Sequence, residues 1–292
     1  MSSFLIRRIN GVYYVEGGNT KIAEGFAYFF KKLGGRILNN TEVKQIFTKE
    51  KKAKGVLLQN EEIIEGEKVI VNGDFLSSYE RLLPEEERPS YKDRKIASYE
   101  PSVSAFVMMV VLKGRRKNFV QHQVYFPENY QREFEGIFVH KKLPEDPTIY
   151  ISNSSYSDNR VAPGDNLFIL VNAPAITSIT KVESENYKEK IYNKLLAYGV
   201  DIRKDKVAEK MITPCDIEAK FFARRGALYG ISSNRKKDSF LRPSNVSKDI
   251  KGLYFVRGTT HPGGGSPMVT ISGLNVAHHT LNENRKKSSK VF

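Results

Sequence analysis

The run GLYFVRGTTHPGGGSPMVTISGLNVAHH, from Gly252 to His279, decides the fold. Leu253 to Val256 reads as a strand, Gly258, Gly263, Gly264 and Gly265 as a glycine-rich loop, and a helix begins near Pro267. A strand that delivers a glycine loop into a helix start gathers backbone N–H groups and the positive end of a helix dipole at one spot. Such a spot suits a phosphate or a ring carbonyl of a bound cofactor. Loops of this kind usually open a nucleotide-binding domain, yet this one lies near the last residue of the sequence.

Working back toward the first residue, Val12 to Val15 reads as a short strand, and Asn19 or Thr20 caps a helix. That helix carries Ile22, Phe26, Phe29, Phe30 and Leu33 on one stripe and stops at Gly34-Gly35. Strand signals follow at 36–38, 42–48, 54–59 and 68–72. The charged, proline-bearing run after residue 76 reads as a short helix and an exposed connection. Beyond it, strands are expected at 105–113, 123–126, 148–152, 166–171 and 210–213, helices at 184–198 and after Pro214, and a frayed tail over 284–292. Strand–helix–strand units with an appended meander place the chain in the α/β (α+β) class.

Composition narrows the function. A single cysteine, Cys215, excludes an intrachain disulfide and a multi-cysteine zinc site, and no His/Asp/Glu cluster has metal-ligand spacing, so no metal is expected. Val103 to Leu112 is the most apolar run and is too short to span a bilayer, which needs about 20 residues. A cytoplasmic protein, with attachment to a membrane surface as the further option, is the expectation. The formal charge of +14 admits nucleic acid, anionic lipid or plain solvated charge as explanations. No aromatic platform, helix-turn-helix or RNP-type run accompanies the basic clusters, so no nucleic-acid partner is expected.

The segments GVYYVEGGNTKIAEGF, NNTEVKQI, VIVNGDFLSSYERLLPEE, RGALYGISSN, RPSN and, above all, THPGGG followed by Pro267 and a helix carry a resemblance. They resemble the carotenoid (phytoene or diapophytoene) desaturase family of FAD-dependent, amine-oxidase-like oxidoreductases. The resemblance implies an incomplete FAD-binding domain with an inserted mixed-sheet substrate domain. Residues 11–75 and 249–283 would supply the adenine and flavin sides, and 76–248 the substrate domain. It also implies FAD as cofactor, with Val43 on the adenine half, Gly258, Thr259 and Thr260 along the cofactor, and the backbone of Met268 and Val269 at the flavin ring. A hydrophobic polyene is the implied substrate, dehydrogenated in carotenoid biosynthesis, with Tyr229 and Phe240 as candidates for its tunnel.

Two departures from the family stand out. The sequence has no G-x-G-x-x-G turn, the feature that binds the FAD pyrophosphate. A separately encoded Rossmann portion would be the partner that supplies it. The family also has glycine where this chain has Arg257, an arginine that either obstructs the site or pairs with a phosphate. An inactive truncated product and a non-catalytic lipid- or membrane-surface-binding module are therefore the alternatives. No catalytic acid or base is identified. His261 is expected to brace the loop, His278 and His279 to end the last helix, Asp216 and Glu218 to cap a helix, and Asp74 either to cap a helix or to form a family turn.

Overall fold

A computed structural model describes residues 13–234 and 242–288. Helix α1 (Thr20–Lys32) forms as its spacing predicts and ends at Leu33, with Gly34 at φ 87°. Its apolar stripe meets no core: Phe26 is 69% exposed and Leu33 87%. The strands expected before and after it do not form among the described residues. Tyr13 to Val15 and residues 36–38 have no ladder partner among the described residues, and a strand exists only through its ladder. Val12 lies outside the described residues.

Strands β1 (Val43–Lys49), β2 (Lys52–Leu58) and β3 (Ile63–Glu65) form an antiparallel meander. Glu50 and Lys51 both take positive φ in the two-residue hairpin between β1 and β2. Then come β4 (Val69–Val71), α2 (Phe75–Leu82) and the short α3 (Asp93–Ala97). The all-apolar run reads as β5 (Ser104–Leu112), followed by β6 (His122–Tyr125), α4 (Tyr130–Phe138), β7 (Ile149–Asn153) and the single turn α5 (Ser154–Ser157). After β8 (Asn166–Ala173), α6 (Lys181–Ala197) begins in a reciprocal capping box between Thr180 and Glu183. The chain continues through β9 (Lys206–Ile212), α7 (Pro214–Phe221), β10 (Leu253–Phe255) and α8 (Ser266–Ser288).

Residues up to Asn39 together with Val103–Ala219 form one compact unit. It holds a five-stranded sheet in the order β6-β7-β8-β5-β9. Every ladder in it is antiparallel, which corrects the expected mixed sheet. Central β5 pairs on both edges, and its side chains are buried almost throughout. Phe106, Met108, Ile151 and Ile169 from this sheet join Tyr187, Ile191 and Leu195 of α6 in its core. Asn40–Ser102 with the residues from Lys220 onward form the second unit. Its core gathers Phe75 and Tyr79 of α2, Ile46 of β1 and Leu253 and Phe255 of β10. There β4 and β10 pair in parallel, Ile70 opposite Tyr254. These units divide the chain elsewhere than at the expected boundaries after residues 75 and 248, because α1 groups with the five-stranded sheet and the meander groups with β10.

The expected tail is also corrected. Helix α8 runs on to Ser288, since nothing between Gly273 and Ser288 supplies a glycine or proline stop, and 289–292 lie outside the described residues.

Candidate cofactor loop

All the residues that build the glycine loop belong to the second unit. After β10 the backbone reaches Arg257, held at φ 114°, a left-handed conformation that favours glycine. Arg257 O in turn accepts from Thr260 N at 3.3 Å and from Thr260 Oγ1 at 3.0 Å, which closes the first turn of the loop. Two glycines are fixed by close approach. A Cβ on Gly264 would lie 2.6 Å from the Tyr229 ring, and one on Gly258 would lie 3.0 Å from Gly264 Cα.

Two residues that the sequence reading passed over hold this loop in shape. Arg242 donates from Nη1 to Gly258 O and Tyr229 O, both at 3.2 Å, and from Nη2 to Ser233 Oγ at 3.0 Å. Asn245 Nδ2 lies within donor distance of Phe255 O at 2.9 Å, Ser272 Oγ at 2.9 Å and Thr260 Oγ1 at 3.2 Å. That joins strand, loop and helix α8 through one amide. Their only sequence signal was the RPSN run, Arg242 to Asn245.

The predicted site residues fall into two groups. Gly258, Thr259, Thr260, Met268 and Val269 come together on the loop and the start of α8. Thr259 and Thr260 are buried, at 3% and 0% exposure, and their hydroxyls serve the fold: Thr259 Oγ1 accepts from Phe75 N at 3.0 Å, at the start of α2. Val269 N–H is spent on Gly265 O at 3.0 Å. This corrects the expectation that it meets the flavin ring, because a donor inside the first helical bond is no longer free; its side chain, 37% exposed, is what faces outward. Val43 stands apart from the loop in sequence, as the first residue of β1, where the pairing with β2 is irregular.

Asp74 settles as the cap of α2, accepting from Ser77 N at 2.9 Å through Oδ1. It is 2% exposed. Burial raises its pKa above 3.8, against the pull of Ser77 N–H and the Arg257 and Arg224 guanidiniums. Asp216 also caps, accepting from Thr213 N at 2.9 Å. His261 binds by its backbone, N–H to Pro243 O at 2.9 Å, and its ring is exposed. His278 and His279 lie inside α8 instead of at its end; His279 Nε2 is 3.4 Å from Glu283 and its ring packs edge-on to Tyr254. Tyr229 is 45% exposed against the loop, while Phe240 lies outside the described residues. Burial pushes the Cys215 thiol up, away from nucleophilic use. Among the described residues no group of acidic, histidine or cysteine side chains could hold a metal ion. No helix among them is long and apolar enough to cross a membrane.

The flavin-ring end of an FAD site fits this geometry. Helix α8 starts without a carboxylate in its first turn, and among the described residues, chain neighbours aside, no atom lies within 4 Å of where a Cβ on Gly265 would stand. An electron-rich ring edge could approach that open helix start, and negative charge there is favoured by the helix dipole. The pyrophosphate end has no matching residues in the sequence given.

No family model matches the chain. The chain is 32% identical to 4,4'-diaponeurosporene oxygenase of Staphylococcus aureus over 293 residues, which is 98% of this chain and 58% of that protein. The same enzyme from a second strain is 31% identical over the same shares. The chain therefore spans a little over half the length of the curated relatives it matches. Among solved structures, an oxidoreductase from Methanosarcina mazei superposes with a TM-score of 0.58 at 15% identity, over 90% of this chain and 55% of that one. A putrescine oxidase redesigned at its cofactor site superposes at 0.56 and 12% identity, over 91% and 53%. These two structures show the fold.

Proposed function

Taking a chain that belongs to the carotenoid desaturase-like family of flavin oxidoreductases, we propose that it forms the flavin-ring and substrate part of an enzyme oxidising a long apolar polyene in carotenoid biosynthesis. The observation that carries this reading is the pre-shaped loop from Gly258 to Gly265, delivered by β10 into the start of α8. When bound, FAD would accept a hydride equivalent from the substrate. The loop residues of this chain would then have distinct tasks. The α8 start would favour negative charge at the ring edge, with Met268 and the Val269 side chain beside it. Arg242 and Asn245 would hold the loop, and Thr259 would tie it to α2 through Phe75 N–H. Val43 would take the adenine half.

Dehydrogenation is the chemistry that the desaturase resemblance implies, whereas the curated relatives are named for oxygenation. The mass of the product separates the two: loss of two hydrogens against gain of oxygen. The missing pyrophosphate turn supports a need for a complementing Rossmann portion. The test is to incubate the purified chain with FAD, desalt it and record flavin absorbance, then repeat with a G-x-G-x-x-G-bearing portion of a relative present. Flavin is expected in the second sample alone. Stoichiometric flavin on the chain by itself would contradict the split site, and none in either sample would favour the inactive reading.

A further inference from the structure

Within the second unit a cavity of about 360 Å³ opens on the flank of α8. Arg242, Ser244 and Asn245 line it from the segment before β10, His261 from the glycine loop, and Asn275 and His279 from α8. Valines complete the wall, and among the described residues no carboxylate lines it. Two other cavities, of about 600 and 430 Å³, set basic groups against glutamates. The position is also separate from the assigned flavin edge at the start of α8. From Ser266 to Asn275 the helix rises about 13 Å.

The guanidinium in this cavity lacks a counter-charge. Arg242 is half-buried, burial lowers its pKa, and among the described residues no carboxylate pairs with it. Its bonds to Gly258 O, Tyr229 O and Ser233 Oγ all go to neutral acceptors and leave part of its five-donor fork unspent. Nε lies against Gly263, where a Cβ would stand 3.3 Å away and the backbone at φ 130° favours glycine. The Ser244 hydroxyl, the His261 ring and the Asn275 amide are exposed at the rim, and each can donate a hydrogen bond. His279 Nε2 is 3.4 Å from Glu283, but that carboxylate also accepts from the Tyr254 hydroxyl at 2.5 Å and lines a different cavity. A part-buried positive charge with only neutral partners is favoured by an anion.

We propose that this cavity binds a phosphate group, with Arg242 supplying the charge and Ser244, His261 and Asn275 the surrounding donors. A phosphate carries several acceptor oxygens and pairs with a guanidinium through charge-assisted hydrogen bonds, so it can engage these donors together. The site is independent of the flavin reading. Soluble phosphate and a phosphomonoester lipid headgroup share this chemistry, and the experiment below separates them.

The probe is inorganic phosphate, titrated into the purified full chain at constant ionic strength, with chloride as the control ion. The ring resonances of His261 and His279 report occupancy. Saturation at about 10 mM phosphate or below is expected, and none with chloride. Asn275→Asp puts a carboxylate on the rim at an exposed helix position, so phosphate affinity should fall about tenfold or more with the circular dichroism unchanged. Asn275→Lys should tighten binding, which a merely structural role would not produce. Arg242→Gln should abolish saturation; if that variant loses its fold, the Asn275 pair decides. Equal shifts with chloride, a response that never saturates, or unchanged affinity in both Asn275 variants overturns the proposal. Vesicles of phosphatidylcholine and phosphatidic acid then identify the source. Sedimentation that Asn275→Asp weakens and inorganic phosphate displaces assigns the headgroup, and sedimentation indifferent to both assigns a soluble phosphate compound. Flavin retention is read separately by desalting, so failure of either reading leaves the other standing.

Discussion

Arg257 is the residue at which this chain departs most sharply from what its own backbone asks for. At φ 114° a side chain is strained, and the strain at such positions is about 1 to 3 kcal/mol. Arg257→Gly should therefore raise stability by about 1 kcal/mol after the added freedom of the unfolded chain is subtracted, read as a higher urea midpoint. A lower midpoint would mean that the guanidinium does more for Asp74 than the backbone loses. Asp74 itself ties stability to pH. Its folded pKa is raised above 3.8 by burial, so the folded state holds that proton more tightly than the unfolded chain. The contribution is full below the unfolded value and is lost as pH climbs through the folded one. Asp74→Asn keeps a cap acceptor and cannot ionise, so its stability relative to the parent should improve with pH across that window. Urea midpoints at about pH 4 and about pH 7 check this, and a constant difference between the two proteins would show that Asp74 does not change its proton affinity on folding. Asn245→Ala removes two N–H donors shared among Phe255 O, Ser272 Oγ and Thr260 Oγ1 and should cost about 2 kcal/mol.

Among the elements, α1 is the one whose sequence and surroundings disagree. Its stripe of Ile22, Phe26, Phe29 and Phe30 is that of a core helix, and each of these residues is about half exposed or more. Replacing Phe26 and Phe29 with lysine should change stability by no more than about 0.5 kcal/mol per site while lowering self-association in light scattering. A large loss of stability would place those rings in a core. The same contrast shows what the sequence could disclose. The β10–loop–α8 run was legible because glycine and proline punctuation is local, and β5 was legible because a strand buried on both faces is continuously apolar. Helix α4 went unread since YQREFEGIF, from Tyr130 to Phe138, mixes charge and Gly136 into its stripe. Tyr13 to Val15 and residues 36–38 find no ladder partner among the described residues, and pairing is a non-local condition that spacing does not report. Arg242 and Asn245 were hidden for a like reason: Arg242 meets Gly258 across 16 positions, and spacing does not say onto which loop a polar side chain will fold.

For the whole molecule the +14 charge is the dominant long-range property, and it is what is left after every carboxylate has been set against a basic group. Arg115 is bonded to Ser155 O and Ala162 O, Arg116 to Asp205, and Arg224 to Glu80. The remaining surface charge predicts attraction to anionic vesicles. Raising salt from about 0.01 M to about 1 M shortens screening from about 30 Å to about 3 Å, so the sedimenting fraction should fall to background. Binding that ignores salt would assign attachment to apolar insertion instead. A last consequence belongs to the amide of Asn245 and the guanidinium of Arg242. Because they hold the glycine loop through bonds within the protein, its conformational freedom is given up during folding. A ligand arriving there meets a surface already ordered, and little of its binding energy is diverted to immobilising the chain.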